Sequence, residues 1–251
     1  MITFENVHKS FNGQQVLRGV DLTISKGKIT VIIGPSGTGK SVLLKHIIGL
    51  LTPDTGQVRV GDVDVASLSG RQLPAFRRQF GMLFQNAALF DSLNVFDNIA
   101  FPLVEDGRIS EGEIRDTVHH MLRLVGLPDV GHKMPAELSG GMRKRVGLAR
   151  AIALKPSIIL YDEPTTGLDP LMTDAIDKLI LGMQQELPVT SIVISHDIQS
   201  TFRIADQIAM LSGGRIVEAG PPPVVRASRH EIVRRFLEGR SNAETEETVR
   251  L

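Results

Sequence analysis

Residues 30–41 read TVIIGPSGTGKS and carry the strongest structural signal in this 251-residue chain. The first four of them are all β-branched, as is typical of a strand buried on both faces of a parallel sheet. Residues 34–41 fit the pattern G-x-x-x-x-G-K-[ST], and a helical pattern begins at Ser41. A buried strand, a glycine-rich turn and a helix in this order predict an α/β fold with a phosphate-binding loop.

The chemistry of phosphate binding explains why these residue types occur at this spacing. Glycines let the backbone curl so that successive N–H groups point at phosphate oxygens, and the positive end of the next helix faces the same anion. Lys40 is expected to reach the β- and γ-phosphates, and the Ser41 hydroxyl is expected to bind Mg²⁺. The loop therefore predicts Mg²⁺ and a nucleotide with β- and γ-phosphates as cofactors. Its nucleotide-binding residues are Ser36, Gly37, Thr38, Gly39, Lys40 and Ser41.

Two carboxylates, Asp162 and Glu163, directly follow a second apolar run at 158–161. Ligands of open α/β sheets bind beyond the carboxyl ends of the strands, so Asp162 is expected to face the Mg²⁺ region. Glu163 would sit where a general base could polarise an attacking water. The plainer alternative is a strand followed by an acidic helix cap, which is much weaker beside a phosphate loop.

Two further motifs are ambiguous when each is taken alone. Residues 138–142 read LSGGM, in which Ser139 is a good helix N-cap and two glycines permit close approach of an anion. Without other motifs, this is simply a capped helix start. Residues 195–197 read SHD and follow the apolar run 191–194, so His196 could contact a γ-phosphate from a strand end. In isolation it would be an ordinary loop histidine.

The order of these motifs resembles the ATP-binding subunit of ABC transporters, over Met1 to about Gly220. The resemblance implies a P-loop NTPase of the ABC type, with a mixed β-sheet nucleotide-binding core and an inserted α-helical subdomain. Helical patterns at 111–125, 140–153, 170–186 and 199–205 fit that organisation. We expect one ATPase domain over 1–239. Its parts are a core at 1–85 and 155–220, a helical subdomain at 86–154 and a C-terminal helix at 224–239, followed by a polar tail at 240–251.

The same resemblance implies roles for residues whose position alone says little. Phe11 would stack on adenine and Val16 would pack against the same base. Gln85 would approach Mg²⁺ and relay to a membrane subunit, and Asp169 would cross a dimer interface. His196 would be the switch histidine. The signature residues Ser139, Gly140 and Gly141 would contact the γ-phosphate bound to the opposite subunit.

A narrower resemblance rests on residues 81–103, on LSGGMRKRVGLARAIA and on VRRFLEG at 233–239. These stretches resemble the ATPases of Mla/Mce-type phospholipid transporters, although polar amino-acid importers share parts of them. The resemblance implies a homodimer bound to two permease copies at the cytoplasmic face of the inner membrane. It also implies a small cytoplasmic regulatory subunit and an extracytoplasmic MCE-type lipid-binding protein. An importer of a small polar solute and a soluble non-transport ABC ATPase remain the alternatives.

Much of the aromatic content surrounds Gln85, in a segment that could form an apolar groove for a partner helix. The alternative is that these side chains fill the core of the helical subdomain. The residues concerned are Leu83, Phe84, Leu89, Phe90, Leu93, Val95, Phe96, Ile99 and Phe101.

Composition excludes several other classes of protein. Lys plus Arg and Asp plus Glu are both 28, and this zero net charge argues against a nucleic-acid partner. The absence of cysteine excludes thiolate catalysis and Cys-ligated zinc. No apolar stretch approaches the roughly 18 residues of a membrane helix. The basic run Arg143-Lys144-Arg145 is expected to be a solvated helix face.

Overall fold

The computed structural model describes residues 1–240, which form two compact units. One unit is Met1–Leu68 together with the residues from Thr201 onward, and the other is Ser69–Ser200. Beyond Arg240, the predicted polar tail lies outside the described residues. No helix within 1–240 is both long enough and apolar enough to cross a membrane.

Strands and helices alternate along most of the described chain. The strands are β1 (Ile2–Phe11), β2 (Gln14–Ile24), β3 (Ile29–Ile33), β4 (Thr55–Val60), β5 (Val63–Asp64), β6 (Phe80–Leu83), β7 (Ile158–Asp162), β8 (Thr190–Ile194), β9 (Gln207–Ser212) and β10 (Arg215–Gly220). The helices are α1 (Lys40–Ile47), α2 (Gln72–Arg77), α3 (Val95–Asp106), α4 (Glu111–Leu124), α5 (Gly140–Ile152), α6 (Pro170–Glu186), α7 (Ile198–Ile204), α8 (Pro222–Arg226) and α9 (Glu231–Leu237).

The first unit contains an antiparallel sheet in the order β2-β1-β4-β5. Asn12 and Gly13 connect β1 to β2, and both have positive φ (50° and 81°), as a two-residue hairpin turn requires. In the same unit β3 pairs in parallel with β9, which pairs antiparallel with β10, so the strand pairing is mixed. All five residues of β3 are buried, as the β-branched run predicted.

The second unit pairs β6, β7 and β8 in parallel. The register sets Leu83 opposite Tyr161 and Asp162 opposite Ile194, so the carboxyl ends of the three strands meet at one edge. Helices α3, α4 and α5 pack against one another in this unit. Asn94 caps α3, and Ser110 with Glu113 forms a capping box at α4. The mostly helical character predicted for 86–154 is confirmed, whereas the subdomain bounds themselves stay a prediction.

The C-terminal helix predicted for 224–239 is wrong as a single element. The chain forms α8 and α9 instead, with 227–230 between them. The Ser228 hydroxyl accepts a hydrogen bond from the backbone N–H of His230 (3.1 Å) and donates one to Glu218 (2.7 Å). Because that N–H bonds a side chain, it does not continue the helical ladder, and the chain turns at this point.

Candidate functional site

The predicted site residues divide between the two units. The first unit contains Phe11, Val16, Ser36, Gly37, Thr38, Gly39, Lys40 and Ser41. The second contains Gln85, Ser139, Gly140, Gly141, Asp162, Glu163, Asp169 and His196.

The loop between β3 and α1 requires glycine at both of its ends. Gly34 has φ 148°, and a Cβ there would overlap the backbone carbonyl of Leu211. Gly39 has φ 99°, and a Cβ there would lie 2.8 Å from Val16 Cγ1. Both positions therefore need a residue without a side chain, for backbone conformation as well as for space.

Hydrogen bonds within the loop hold its shape. The Lys40 ammonium is buried and donates to the carbonyl oxygens of Gly34 and Pro35, both at 2.8 Å. The Thr38 hydroxyl donates to the Pro35 carbonyl as well, at 2.8 Å. These three bonds join residues at most six positions apart in the sequence, so they hold the loop locally.

The first turn of α1 suits an anion. Gly39 is the N-cap residue, has a left-handed backbone and, as glycine, offers no capping side chain. The sequence KSVL of the first turn contains no acidic residue, so its N–H groups and the helix dipole favour negative charge. Ser41 is the second residue of this helix and is half-buried. A triphosphate therefore fits this end of the unit, and the Ser41 hydroxyl is a ligand type that Mg²⁺ accepts.

Phe11 and Val16 flank the hairpin turn of β1 and β2. Phe11 is 39% exposed, so part of its ring is available for stacking, and the Lys9 ammonium lies 5.7 Å from the ring centroid. Val16 is half-buried against Gly39 of the loop.

The second unit places Glu163 and His196 side by side. Glu163 follows β7 in a left-handed conformation (φ 52°), and its N–H donates to the carbonyl of Ile194 on the neighbouring strand (3.0 Å). Its Oε2 accepts a hydrogen bond from the Thr166 hydroxyl (3.0 Å) and lies 3.6 Å from His196 Nδ1. His196 is half exposed, with 52% of its side chain accessible. Asp162, one residue earlier, ends β7 and is half-buried.

The LSGGM segment forms a capped helix start, as its sequence predicts. The Ser139 hydroxyl accepts a hydrogen bond from the N–H of Met142 (3.2 Å) at the beginning of α5. Gly141 lies close to the start of α6, because a Cβ there would come within 3.0 Å of Met172 Sδ. Asp169 caps α6 by accepting from the N–H groups of Leu171 and Met172, both at 2.9 Å.

Gln85 and Gly140 line the same cavity, which has a volume of about 300 Å³. Lys144 also faces it and is only 6% exposed, so the solvated face predicted for 143–145 is wrong for Lys144. Lys144 lies four positions after Gly140 on α5, which puts both residues on one helix face. Nothing within the run of three basic residues singled out Lys144 for burial. The lining residues are Gln85, Asn86, Ala87, Gly140, Arg143, Lys144, Thr166, Gly167 and Leu168.

The aromatic segment after Gln85 divides into core and groove. Leu83, Val95 and Ile99 are fully buried, so for these three the core alternative holds. A second cavity of about 340 Å³, which we call the phenylalanine groove, is mainly apolar. Three of its lining residues, Phe84, Phe90 and Phe101, are phenylalanines that are at least 40% exposed. The full lining is Phe80, Gly81, Met82, Phe84, Ala88, Phe90, Phe101, Pro102, Arg150, Ala151 and Leu154.

Two polar residues shape the groove and carry no sequence motif. The Arg150 guanidinium donates to the Ala87 carbonyl (2.9 Å) and lies 5.7 Å from the Phe90 ring centroid. Asn98 is fully buried, exchanges hydrogen bonds with the Phe90 backbone (2.8 and 3.1 Å), and donates to the carbonyls of Leu93 and Asn94. Its amide therefore fixes the loop that presents Phe90.

Residues 17–166 match the ABC transporter family. The chain is 44% identical over 239 residues to the probable ribonucleotide transport ATP-binding protein mkl of Mycobacterium tuberculosis, covering 95% of this chain and 67% of that protein. It is 40% identical to the intermembrane phospholipid transport system ATP-binding protein MlaF of Haemophilus influenzae, covering 96% of this chain and 92% of that protein.

A solved ATP-binding cassette, dimeric and bound to ADP and Pi in a post-hydrolysis state, superposes with a TM-score of 0.81. It is 31% identical and covers 88% of this chain and 99% of its own. The phosphate loop and the carboxylate pair thus belong to an ATP-hydrolysing enzyme of the α/β class. The chain is a member of the ABC transporter family, as the motif order predicted.

Proposed function

We propose that this ATPase energises phospholipid transport through a separate membrane permease. The observation that carries the coupling part of the proposal is the phenylalanine groove, which begins one residue from Gln85. An apolar surface directly beside a nucleotide-responsive residue is suited to pass motion to a partner.

We assign the chemistry of hydrolysis to Glu163 and His196. Glu163 is the general base that polarises the attacking water, and Thr166 and His196 border its Oε2. His196 contacts the γ-phosphate. Lys40 binds the β- and γ-phosphates, and the loop residues Ser36 to Gly39 bind them through the backbone. Phe11 stacks on adenine beside Val16.

We assign Ser41, Asp162 and Gln85 as the residues that hold Mg²⁺. Hydroxyl, carboxylate and amide oxygens are the hard ligands that this ion accepts, and it commonly keeps several waters. When bound, Mg²⁺ neutralises charge on the phosphate oxygens.

Two copies of the chain are proposed to share two ATP molecules. The N-terminus of α5, with Ser139, Gly140 and Gly141, would contact the γ-phosphate bound to the opposite copy, and Asp169 would cross the interface. Such sharing implies a two-fold symmetric homodimer. Support comes from the dimeric solved cassette and from the glycine-rich start of α5, whose first turn contains no acidic residue.

The membrane partner is proposed to dock a short cytoplasmic helix in the phenylalanine groove. Two permease copies would then hold the ATPase dimer at the cytoplasmic face of the inner membrane. The groove offers exposed aromatic rings and one cation, Arg150, which suits an amphipathic helix carrying an acidic residue. A small regulatory subunit and an extracytoplasmic MCE-type lipid-binding protein complete the proposed assembly.

Phospholipid is the proposed cargo because of the similarity to MlaF across nearly the whole of both chains. The relative named for ribonucleotide transport supports a small polar solute as the second candidate. The deciding experiment reconstitutes the complex in vesicles and measures its ATPase rate and lipid movement with phospholipid or polar solutes present. Stimulation by a polar solute alone, with no lipid bound or moved, would exclude phospholipid.

A charge in the groove tests the coupling. Phe90→Glu should abolish co-purification with the permease while ATP binding by the isolated chain is retained. Val104→Glu is the matched control, because Val104 is 58% exposed on α3 outside the groove lining. Equal retention of the permease by both variants would contradict docking in the groove.

Mixed dimers test the shared sites. A heterodimer of one Lys40→Ala copy and one Ser139→Ala copy should keep at most one intact site. Sedimentation of Glu163→Gln should show a dimer that ATP forms or tightens. An ATP-bound monomer, even beside the membrane partner, would contradict the arrangement.

A further inference from the structure

Lys144 is a buried cation to which neither the quoted motifs nor the proposed chemistry assigns a role. Its ammonium donates to the backbone carbonyl oxygens of Thr166 (2.7 Å) and Glu163 (3.3 Å). Burial lowers the pKa of Lys144 to about 8, and the neighbouring Glu163 carboxylate opposes that shift only in part. Burying an ammonium is costly, so the geometry of its acceptors matters more than for a surface lysine.

The two carbonyls belong to the ends of one short turn. The N–H of Thr166 donates to the Glu163 carbonyl (3.3 Å), and the Thr166 hydroxyl donates to Glu163 Oε2 (3.0 Å). Glu163 adopts a positive φ, which is unfavourable for a residue with a Cβ. A strained turn persists only where its surroundings hold it. Lys144 bonds both of its ends.

Fold stability alone does not explain a charge at this position. A buried charge interaction is weak evidence of a contribution to fold stability, because the cost of desolvation offsets much of the attraction. A lysine that reaches two backbone carbonyls does, however, fix where those carbonyls lie. The side chain that benefits is the Glu163 carboxylate, which shares the turn.

We propose that Lys144 is a positioning residue that holds the Glu163 carboxylate in its working orientation from α5. This inference rests on the assignment of Glu163 as the general base. Since Ser139 to Gly141 begin the same helix one turn earlier, a shift of that helix end would move the turn as well.

The test measures kcat and KM for ATP in the full-length protein. Lys144→Met keeps the approximate length of the side chain and removes the donors. Misplacing a reacting group by about 1 Å can cost up to 10²-fold in rate, so kcat should fall about 10- to 100-fold with KM within about 2-fold of wild type. Lys144→Arg should restore most of the rate, because the adjoining cavity leaves room for a guanidinium.

Three comparisons keep the result interpretable. Lys178→Met removes an exposed lysine of α6 and should leave kcat unchanged. Lys144→Gln retains one amide donor and should fall between wild type and Lys144→Met, which covers the case in which Lys144→Met fails to fold. In a Glu163→Gln background, Lys144→Met should lower single-turnover hydrolysis no further.

Other outcomes overturn the inference in distinguishable ways. It fails if Lys144→Met keeps kcat within 2-fold of wild type. It also fails if kcat, ATP affinity and Tm fall together without rescue by arginine, since that pattern describes a purely structural lysine. Near-normal turnover of Glu163→Gln would overturn the general-base assignment itself, whereas inactive Glu163→Gln beside active Lys144→Met would overturn only the role of Lys144.

Discussion

Two loops that follow buried strands, one after β3 and one after β7, are each held by a buried lysine with two carbonyl acceptors. Lys40 bonds Gly34 and Pro35, its own neighbours in the phosphate loop. Lys144 bonds Glu163 and Thr166, which lie 19 and 22 residues further along the chain. The two lysines are equally buried, each at 6% exposure, and differ mainly in the sequence distance to the loop they hold.

The difference explains why the loop after β3 carries a recognisable sequence motif and the loop after β7 does not. A loop that closes on its own residues must carry glycines and lysine at fixed spacing, so it forms a recognisable motif. When a loop is held from another helix, a distant side chain constrains its backbone, and the loop itself carries no fixed pattern of residues.

The largest expected effect is on the loop after β7. Glu163→Gln keeps the size of the side chain and removes its ability to take a proton, so ATP turnover should fall by about 10²-fold or more. ATP binding should remain, because the phosphate loop is untouched. Steady-state ATPase rates and nucleotide titrations of the assembled transporter test this, and near-normal turnover would contradict it.

The corresponding change in the phosphate loop should act on binding. Lys40→Ala removes a charged donor worth about 1.5–3 kcal/mol, so ATP affinity should fall about 10- to 100-fold. Fluorescent-nucleotide titration measures the loss. Lys45→Ala, which changes an exposed lysine of α1, is the control and should bind normally. Unchanged affinity of Lys40→Ala would mean that the ammonium only braces the loop.

His46 on α1 makes the support of the phosphate loop sensitive to acid. It is fully buried, its Nδ1 lies 2.7 Å from the Val42 carbonyl, and its Nε2 has no hydrogen-bond partner within the described chain. Burial lowers its pKa below 6.5, with nearby Lys9 acting in the same direction and Asp54 opposing it. The unfolded state therefore binds more protons, and stability should fall as the pH drops below 6.5.

The loss attributable to His46 should approach at most about 1.4 kcal/mol per pH unit. Urea unfolding of wild type and His46→Leu between pH 5 and 8 separates this contribution from that of other groups. The stability of wild type relative to His46→Leu should decrease as the pH falls from 8 to 5, because only the wild type must protonate a buried ring. Parallel curves would exclude His46 as the cause.

The smallest effect is expected at Tyr161, in the strand that supports the loop after β7. Its hydroxyl is buried and unpaired among residues 1–240, and burial raises the pKa of the phenol. The nearby Ser191 hydroxyl donates to Gln184 (3.1 Å) and not to the Tyr161 hydroxyl. Because no hydrogen bond is lost, Tyr161→Phe should change the free energy of unfolding by less than about 1 kcal/mol, in the stabilising direction. Calorimetry measures it, and a clear loss would mean that the hydroxyl is bound.

Sequence patterns predicted the strands and helices around the motifs closely. Helix α6 has the bounds that its pattern predicted, and the runs ending at Ile33, Tyr161 and Ile194 are buried parallel strands. They failed at the C-terminus, where α8 ends at Arg226 and the Ser228 hydroxyl accepts from the His230 N–H before α9 begins. They also assigned Lys144 to solvent, because a run of three basic residues does not reveal which one faces inward.

The phosphate loop, the capped start of α5 and the carboxylates after β7 follow from the amino-acid sequence alone. Glycines, an N-cap and strand ends mark them locally in the sequence, whereas the turn at Glu163 is held in place by Lys144 from α5. The burial of Lys144, the amide network of Asn98 and the division of the aromatic segment into core and groove depend on contacts between distant segments. Side chains of the same chemical type lie in the core, line a groove or support a loop according to what packs against them. Only the tertiary structure decides which segments pack together.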